Sequence, residues 1–240
     1  QAFETASFLS NECGVRIFRS GAFKPRTSPL SFQGTGAKGI EILSDIKHEF
    51  GMQIISEVKD STHFDLVSDV ADIIQVGTKA MYDPAVLKKC GEIKKPILLK
   101  RGFMSTIKEF LQAAEFILSR GNWRVILCER GIRSFEPETR FCLDLGAVAV
   151  IRSMSHLPIV VDPSHAIGKR EFVADLACAG AAMGIDGLLV EVHRDPEKSF
   201  SDARQALSHS AFKELIKRVK PIVNAANRQL DLDHDPSSSI

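Results

Sequence analysis

The chain has 240 residues, with 31 Lys and Arg against 30 Asp and Glu, a net charge of +1 and a pI near 7.8. It is 44% hydrophobic and 25% charged, ordinary usage for a globular domain, which excludes a disordered, collagen-like or coiled-coil chain. The balanced charge provides no basic field for nucleic acid or a membrane surface, and no apolar run approaches the roughly 18 residues of a membrane span.

In chain order, a helical pattern over residues 2–13 precedes the first β-rich run at 15–21. Helical patterns at 38–50, 63–70, 83–94, 105–119, 138–155 and 169–184 then alternate with β-rich runs at 53–59, 73–79, 96–102, 123–130, 158–162 and 187–193. A last helix is predicted at 202–218, and the acidic, serine-rich end from about residue 229 reads as disordered. The length suits one large domain, here residues 1–224, followed by a disordered tail over 225–240. Seven strands, each followed by a helix, imply parallel pairing with right-handed crossovers. A doubly wound sheet and a closed (β/α)8 barrel both satisfy that order. Charge at the end of nearly every strand favours the barrel, where those ends converge on one rim. One strand is lacking from the eight a barrel needs, because the chain opens directly into a helix. Five cysteines, an odd number without Cys-x-x-Cys spacing, are expected as reduced thiols, which predicts a cytoplasmic location.

Polar clusters at the strand ends carry the chemistry. The loop Gly21-Ala22-Phe23-Lys24-Pro25-Arg26-Thr27-Ser28-Pro29 holds two cations and two hydroxyls between stiffening prolines, suited to a phosphate or an acidic sugar, or else a solvated basic turn. Lys100-Arg101 and Glu129-Arg130 form two further clusters, which taken singly could cap carbonyls and together imply a ligand with more than one negative group. Asp162-Pro163-Ser164-His165, Glu191-Val192-His193 and Asp202 follow successive late strands. One imidazole and two carboxylates suit a divalent cation such as Mn²⁺, Fe²⁺ or Zn²⁺, although a lone loop histidine is more often merely hydrogen-bonded. Period-two alternation puts Glu191 and His193 on one strand face, so both are expected to point into the rim. The other histidines carry no assigned role.

These segments, together with Ser31-Phe32-Gln33-Gly34, Leu98-Leu99-Lys100-Arg101-Gly102 and Ile126 through Arg133, resemble the 3-deoxy-D-arabino-heptulosonate 7-phosphate (DAHP) synthases, specifically their short I-beta subgroup. The resemblance runs in order from near residue 1 to about residue 220. It implies a metal-dependent (β/α)8 barrel, a homodimer or homotetramer, that condenses phosphoenolpyruvate with erythrose 4-phosphate at the entry to aromatic amino-acid synthesis. By position it makes Arg19, Lys24, Lys100 and Arg130 contacts to phosphoenolpyruvate, and Arg26 and Thr27 contacts to erythrose 4-phosphate. It makes His165, Glu191 and Asp202 metal ligands. Glu57 and Lys100 become candidates to orient the attacking water, and Lys24 the proton donor to the new hydroxyl.

Three departures from the family pattern stand out. The family's first strand ends in Ala-Gly-Pro-Cys, whose cysteine is the fourth metal ligand, and nothing before the first helix supplies it here. Lys79 occupies a substrate-binding position where the family has arginine, a point charge in place of a planar fork. Met81-Tyr82-Asp83 replaces a more polar run, so a rearranged loop is expected there. Two alternatives follow: a non-catalytic barrel serving as a binding or assembly subunit, and the sister 3-deoxy-D-manno-octulosonate 8-phosphate synthase, against which Pro25-Arg26-Thr27 speaks.

Overall fold

The computed structural model describes residues 1–23 and 34–232. Among them, helices and strands alternate: α1 (Ala2–Cys13), β1 (Ile17–Arg19), α2 (Ala37–Phe50), β2 (Gln53–Val58), α3 (Phe64–Val70), β3 (Ile73–Val76), α4 (Pro84–Glu92), β4 (Ile97–Lys100), α5 (Ile107–Leu118) and β5 (Val125–Glu129). They continue with α6 (Leu145–Met154), β6 (Ile159–Val161), α7 (Pro163–Ile167), α8 (Val173–Ala182), β7 (Gly187–Leu188) and α9 (His209–Ala225). The seven strands form one parallel sheet in sequential order β1 to β7. β1 and β7 do not pair, yet Arg19 at the end of β1 reaches Glu191 just beyond β7 at 2.8 Å. The sheet is therefore curled, with its two edges drawn together at the C-terminal ends of the strands.

Alternation along each strand sorts side chains onto two faces. Ile54, Ile74, Ile97, Leu99, Leu127 and Ile159 point outward into the main core beneath the helices. The inward face holds a smaller apolar cluster of Ile55, Leu98 and Cys128 with Ile73, Ile126, Val160 and Leu189. Burial on both faces explains why the strands read as nearly continuous β-branched and aliphatic runs.

All seven expected strands form, each shorter than its β-rich run. The helices differ at their starts, for local reasons. Asp144 caps α6 by accepting from the Ala147 N–H, so the expected helix at 138–155 begins only at 145. Residues 131–143 instead make a loop in which Ile132 and Cys142 exchange both backbone hydrogen bonds at 2.9 Å. The helix expected at 202–218 starts at His209, because Asp202 adopts left-handed backbone (φ 58°) and Ser208 provides the cap. The short α7 escaped the periodicity reading, although Asp162-Pro163 is a good cap and first-turn pair. β7 ends at Leu188, before Glu191 and His193. At the far end, Arg228 pairs with Asp186 at 2.5 Å and Asp231 with Arg16, while residues 233–240 lie outside the described residues.

Candidate active site at the C-terminal end of the sheet

The inward rows that are apolar at the bottom of the sheet turn polar one alternation later. Ile55 leads to Glu57, Ile73 to Gln75, Leu98 to Lys100, Cys128 to Arg130, Val160 to Asp162 and Leu189 to Glu191, with Arg19 at the end of β1. This ring holds three cations and three carboxylates, all at least half-buried. Burial, with Lys100 and Arg130 opposing and Asp162 and Glu129 adding to it, pushes the Cys128 thiol below the ring up to about 12, so that cysteine is an inert floor.

One side of the ring is cationic. Arg130 is 5% exposed, stacks on Phe141 with its guanidinium 4.3 Å from the ring centre, and keeps Nε and Nη1 without a hydrogen-bond partner among the described residues. Burial pulls its pKa below the ordinary guanidinium value, with Asp162 only partly opposing. A buried guanidinium with donors unused among the described residues has the chemistry to bind an anion. Its backbone is braced by neighbours: Glu129, fully buried, accepts from Arg101 at 2.8 Å and from the Gly131 N–H at 2.7 Å, and Arg101 also reaches Asp144 at 3.0 Å. Burial raises the Glu129 pKa despite Arg101.

Asp162 links the cationic side to the other. Its carboxylate lies 2.6 Å from Lys100 Nζ and 2.8 Å from His165 Nδ1, and it accepts from the His165 N–H at the start of α7. Burial would raise its pKa, but the charges of His165 and Lys100 outweigh burial and hold it well below the carboxylate range. With Nδ1 facing Asp162, His165 is left with Nε2 as its free ligand atom.

Nε2 lies 3.4 Å from Glu191 Oε1, and one donor atom each of His165, Glu191 and Asp202 fall within 4.8 Å of one another. That nitrogen and oxygen set fits a borderline divalent cation. Glu191 is held on three sides: Arg19 donates to Oε1 at 2.8 Å, Gln205 to Oε2 at 2.8 Å, and the Glu191 N–H donates to Ser164 Oγ at 3.1 Å. Burial opposes its ionisation, yet His165 and Arg19 keep its pKa below the ordinary glutamate value. Arg140 donates to Gln205 Oε1 at 2.8 Å and lies 3.5 Å from Asp202.

The structure therefore brings together Arg19, Lys100, Arg130, His165, Glu191 and Asp202, with Glu57 on the same inward row. Glu57 accepts from Gln75 at 2.9 Å and lies over Gly77, where a Cβ would sit 1.9 Å from its carboxylate. Arg19, expected as a substrate contact, spends a donor on Glu191. Lys79 is exposed on the turn after β3. His193 does not join the ring: its Nε2 faces Gln1 and its Nδ1 accepts from the Asp195 N–H. The regular strand has ended by Leu188, so strand-face alternation no longer governs it. Lys24, Arg26 and Thr27 lie outside the described residues. Sequence reasoning missed Gln75, Arg140, Phe141 and Gln205, and named Asp162 without giving it a role. The inward-row alternation would have found Gln75 and placed Asp162, whereas the other three reach the site through nonlocal loop contacts.

Known proteins share much of this chain's sequence and its fold. The chain is 50% identical over 222 residues to a phospho-2-dehydro-3-deoxyheptonate aldolase of Thermotoga maritima, covering 92% of this chain and 65% of that protein. It is 30% identical to a 2-dehydro-3-deoxyphosphooctonate aldolase of Syntrophotalea carbinolica, over 89% of this chain and 81% of the relative. A crystal structure of the Thermotoga maritima DAHP synthase superimposes with a TM-score of 0.91 at 49% identity, covering 95% of this chain and 66% of that one. A truncated form of 3-deoxy-D-arabino-heptulosonate 7-phosphate synthase from the same organism gives 0.88 at 45% identity, over 95% and 83%. The family model described as the DAHP synthetase I family matches residues 1–225, the stretch that carries every strand and the whole polar ring, and the chain belongs to that family.

Proposed function

We propose that this chain condenses phosphoenolpyruvate with erythrose 4-phosphate, giving 3-deoxy-D-arabino-heptulosonate 7-phosphate and inorganic phosphate, at the entry to aromatic amino-acid synthesis. The observation that carries the reading is the ring itself, which holds a buried arginine with donors unspent among the described residues and a His, Glu, Asp cluster. Half the sequence is shared with a relative named for this product.

Arg130, with its guanidinium over the Phe141 ring, and Lys100 bind the phosphate and carboxylate of phosphoenolpyruvate, joined by Arg19. His165, Glu191 and Asp202 would hold a divalent cation, Mn²⁺, Fe²⁺ or Zn²⁺, and when bound it supplies Lewis acidity toward an aldehyde oxygen. Asp162 orients both Lys100 Nζ and the His165 ring from a single buried carboxylate, leaving Nε2 turned toward Glu191. Glu57, oriented by Gln75, directs the water that adds at C2 while C3 bonds to the aldehyde carbon. Phosphate then leaves from C2. Arg26 and Thr27 bind the phosphate of the second substrate, Lys24 gives its proton to the new hydroxyl, and exposed Lys79 adds charge at the rim.

The same reading takes the curled sheet as a (β/α)8-type barrel in which the gap between β7 and β1 is the place of one further strand. Sequential strand order and the Arg19–Glu191 contact across the gap support it. By family resemblance it extends to a homodimer or homotetramer in the cytoplasm.

Product analysis separates the substrates. Incubating the purified chain with phosphoenolpyruvate, Mn²⁺ and either erythrose 4-phosphate or arabinose 5-phosphate is expected to give a seven-carbon keto acid phosphate from the first aldehyde only. An eight-carbon product alone would reassign the chain to the sister reaction.

A further inference from the structure

Gln205 occupies an unusual place behind the candidate metal site. It is 2% exposed, and its amide spans two groups of opposite character. The Glu191 carboxylate has only acceptors and the Arg140 guanidinium only donors, so the amide has one orientation that satisfies both: Nε2 to Glu191 Oε2 and Oε1 to Arg140 Nη1, each at 2.8 Å. The same Arg140 nitrogen lies 3.5 Å from Asp202 Oδ1. The backbone closes the arrangement, because the Gln205 N–H donates to the Asp202 carbonyl at 3.1 Å and the Leu207 N–H to the Glu191 carbonyl at 2.8 Å. Arg140 is itself anchored. Its N–H donates to the Ile167 carbonyl at 3.1 Å, and its Cβ fills the space beside Gly168, where an added Cβ would come within 2.7 Å.

We propose that Gln205 and Arg140 are positioning residues that preset the two carboxylates of the metal site. Gln205 pins Oε2 of Glu191 and thereby keeps Oε1, which accepts from Arg19 and faces His165 Nε2, on the ligand side. Arg140 orients the Gln205 amide and draws Asp202 toward the same cluster, so one chain of contacts sets Glu191 and Asp202 relative to each other before a cation arrives. This inference rests on the metal-site reading above.

Mn²⁺ affinity, measured by calorimetry on the metal-stripped full chain, tests it. Gln205→Met keeps the length and removes both hydrogen-bonding ends, and Arg140→Met removes the outer half on a side chain that is 40% exposed and so tolerant of change. Loss of an orienting partner behind a metal ligand weakens affinity by about 10–100-fold, and Gln205→Met is expected within that range. Arg140→Met should fall in the same direction by a smaller factor, and the double variant should lose little more than Gln205→Met alone. Thermal melting of the stripped variants accompanies the titrations, since a merely structural role would lower the melting temperature and leave Mn²⁺ affinity unchanged. Both single variants binding Mn²⁺ within twofold of the wild-type chain would overturn the proposal. A wild-type chain that takes up no Mn²⁺ would overturn the metal-site reading and this inference with it.

Discussion

Arg130 shows at single-residue scale how the site is built. Its guanidinium is stacked on Phe141, and two of its nitrogens face no partner among the described residues. Lysine can neither stack flat nor offer a fork. Arg130→Lys should therefore raise KM for phosphoenolpyruvate by a factor matching the loss of about 1.5–3 kcal/mol of charged hydrogen bonding, with a smaller change in kcat, as steady-state kinetics would read. An unchanged KM would remove Arg130 from the binding site. Asp162 makes a complementary point. Buried at 0% exposure between Lys100 and His165, it cannot be deleted without stranding a charge. Asp162→Ala is expected to cost about 3–5 kcal/mol in urea unfolding, the penalty for breaking a buried ion pair from one side. Loss of under about 1 kcal/mol would mean Lys100 finds water. Both residues sit on inward rows that alternation along β5 and β6 makes readable, since Cys128 and Val160 lie two positions earlier. Gln205 and Arg140 follow no such row. They come from loops 65 residues apart in sequence, and only the folded contact between them reveals either.

At the scale of elements, the strands were legible because burial on both faces leaves a strong β-branched signature, and helix starts were less so because caps decide them. Asp144 and Ser208 are ordinary polar residues in the sequence, yet each stops a helix from extending several residues earlier. The consequence is functional, because the residues freed from α6 form the loop bearing Arg140 and Phe141. Helix packing carries two further expectations. Leu127 lies at 0% exposure on the outward face of β5, so Leu127→Ala should destabilise the chain by about 2–5 kcal/mol in chemical denaturation. α1 and α9 meet where Phe8 stacks on His209 with ring centres 3.9 Å apart. Burial lowers the His209 pKa, Glu12 opposes, His193 and Arg194 lower it further, and Glu4 opposes weakly. A folded pKa below the unfolded value of about 6.5 means the unfolded chain binds the proton more readily, so this contribution to stability is present above that pH and lost as pH falls through it. Melting temperature should thus drop between about pH 7.5 and about pH 5.5 more in the wild-type chain than in His209→Gln. Parallel pH profiles would assign the dependence elsewhere.

At the scale of the molecule, a parallel sheet in sequential order brings one end of every strand to the same rim, and each inward row is apolar below and charged above. That architecture explains why the chemistry-bearing residues are spread from Arg19 to Asp202 and yet meet within hydrogen-bonding reach. Strand-end charge in the sequence already pointed to such convergence, and the family motifs are the source of the chemistry proposed for it. Composition and alternation alone did not distinguish His165, which joins the cluster, from His193, which turns toward Gln1. No helix of the described residues is long and apolar enough to cross a membrane. The polar ring at the rim carries the functional proposal, and that proposal stands on metal-dependent turnover. The most direct measurement is phosphoenolpyruvate consumption with erythrose 4-phosphate by the purified chain, first stripped with a chelator and then titrated with Mn²⁺. A metal-dependent site at His165 predicts silence after stripping and turnover restored by Mn²⁺, with His165→Ala silent throughout. Turnover that survives stripping, or that His165→Ala retains, would contradict it.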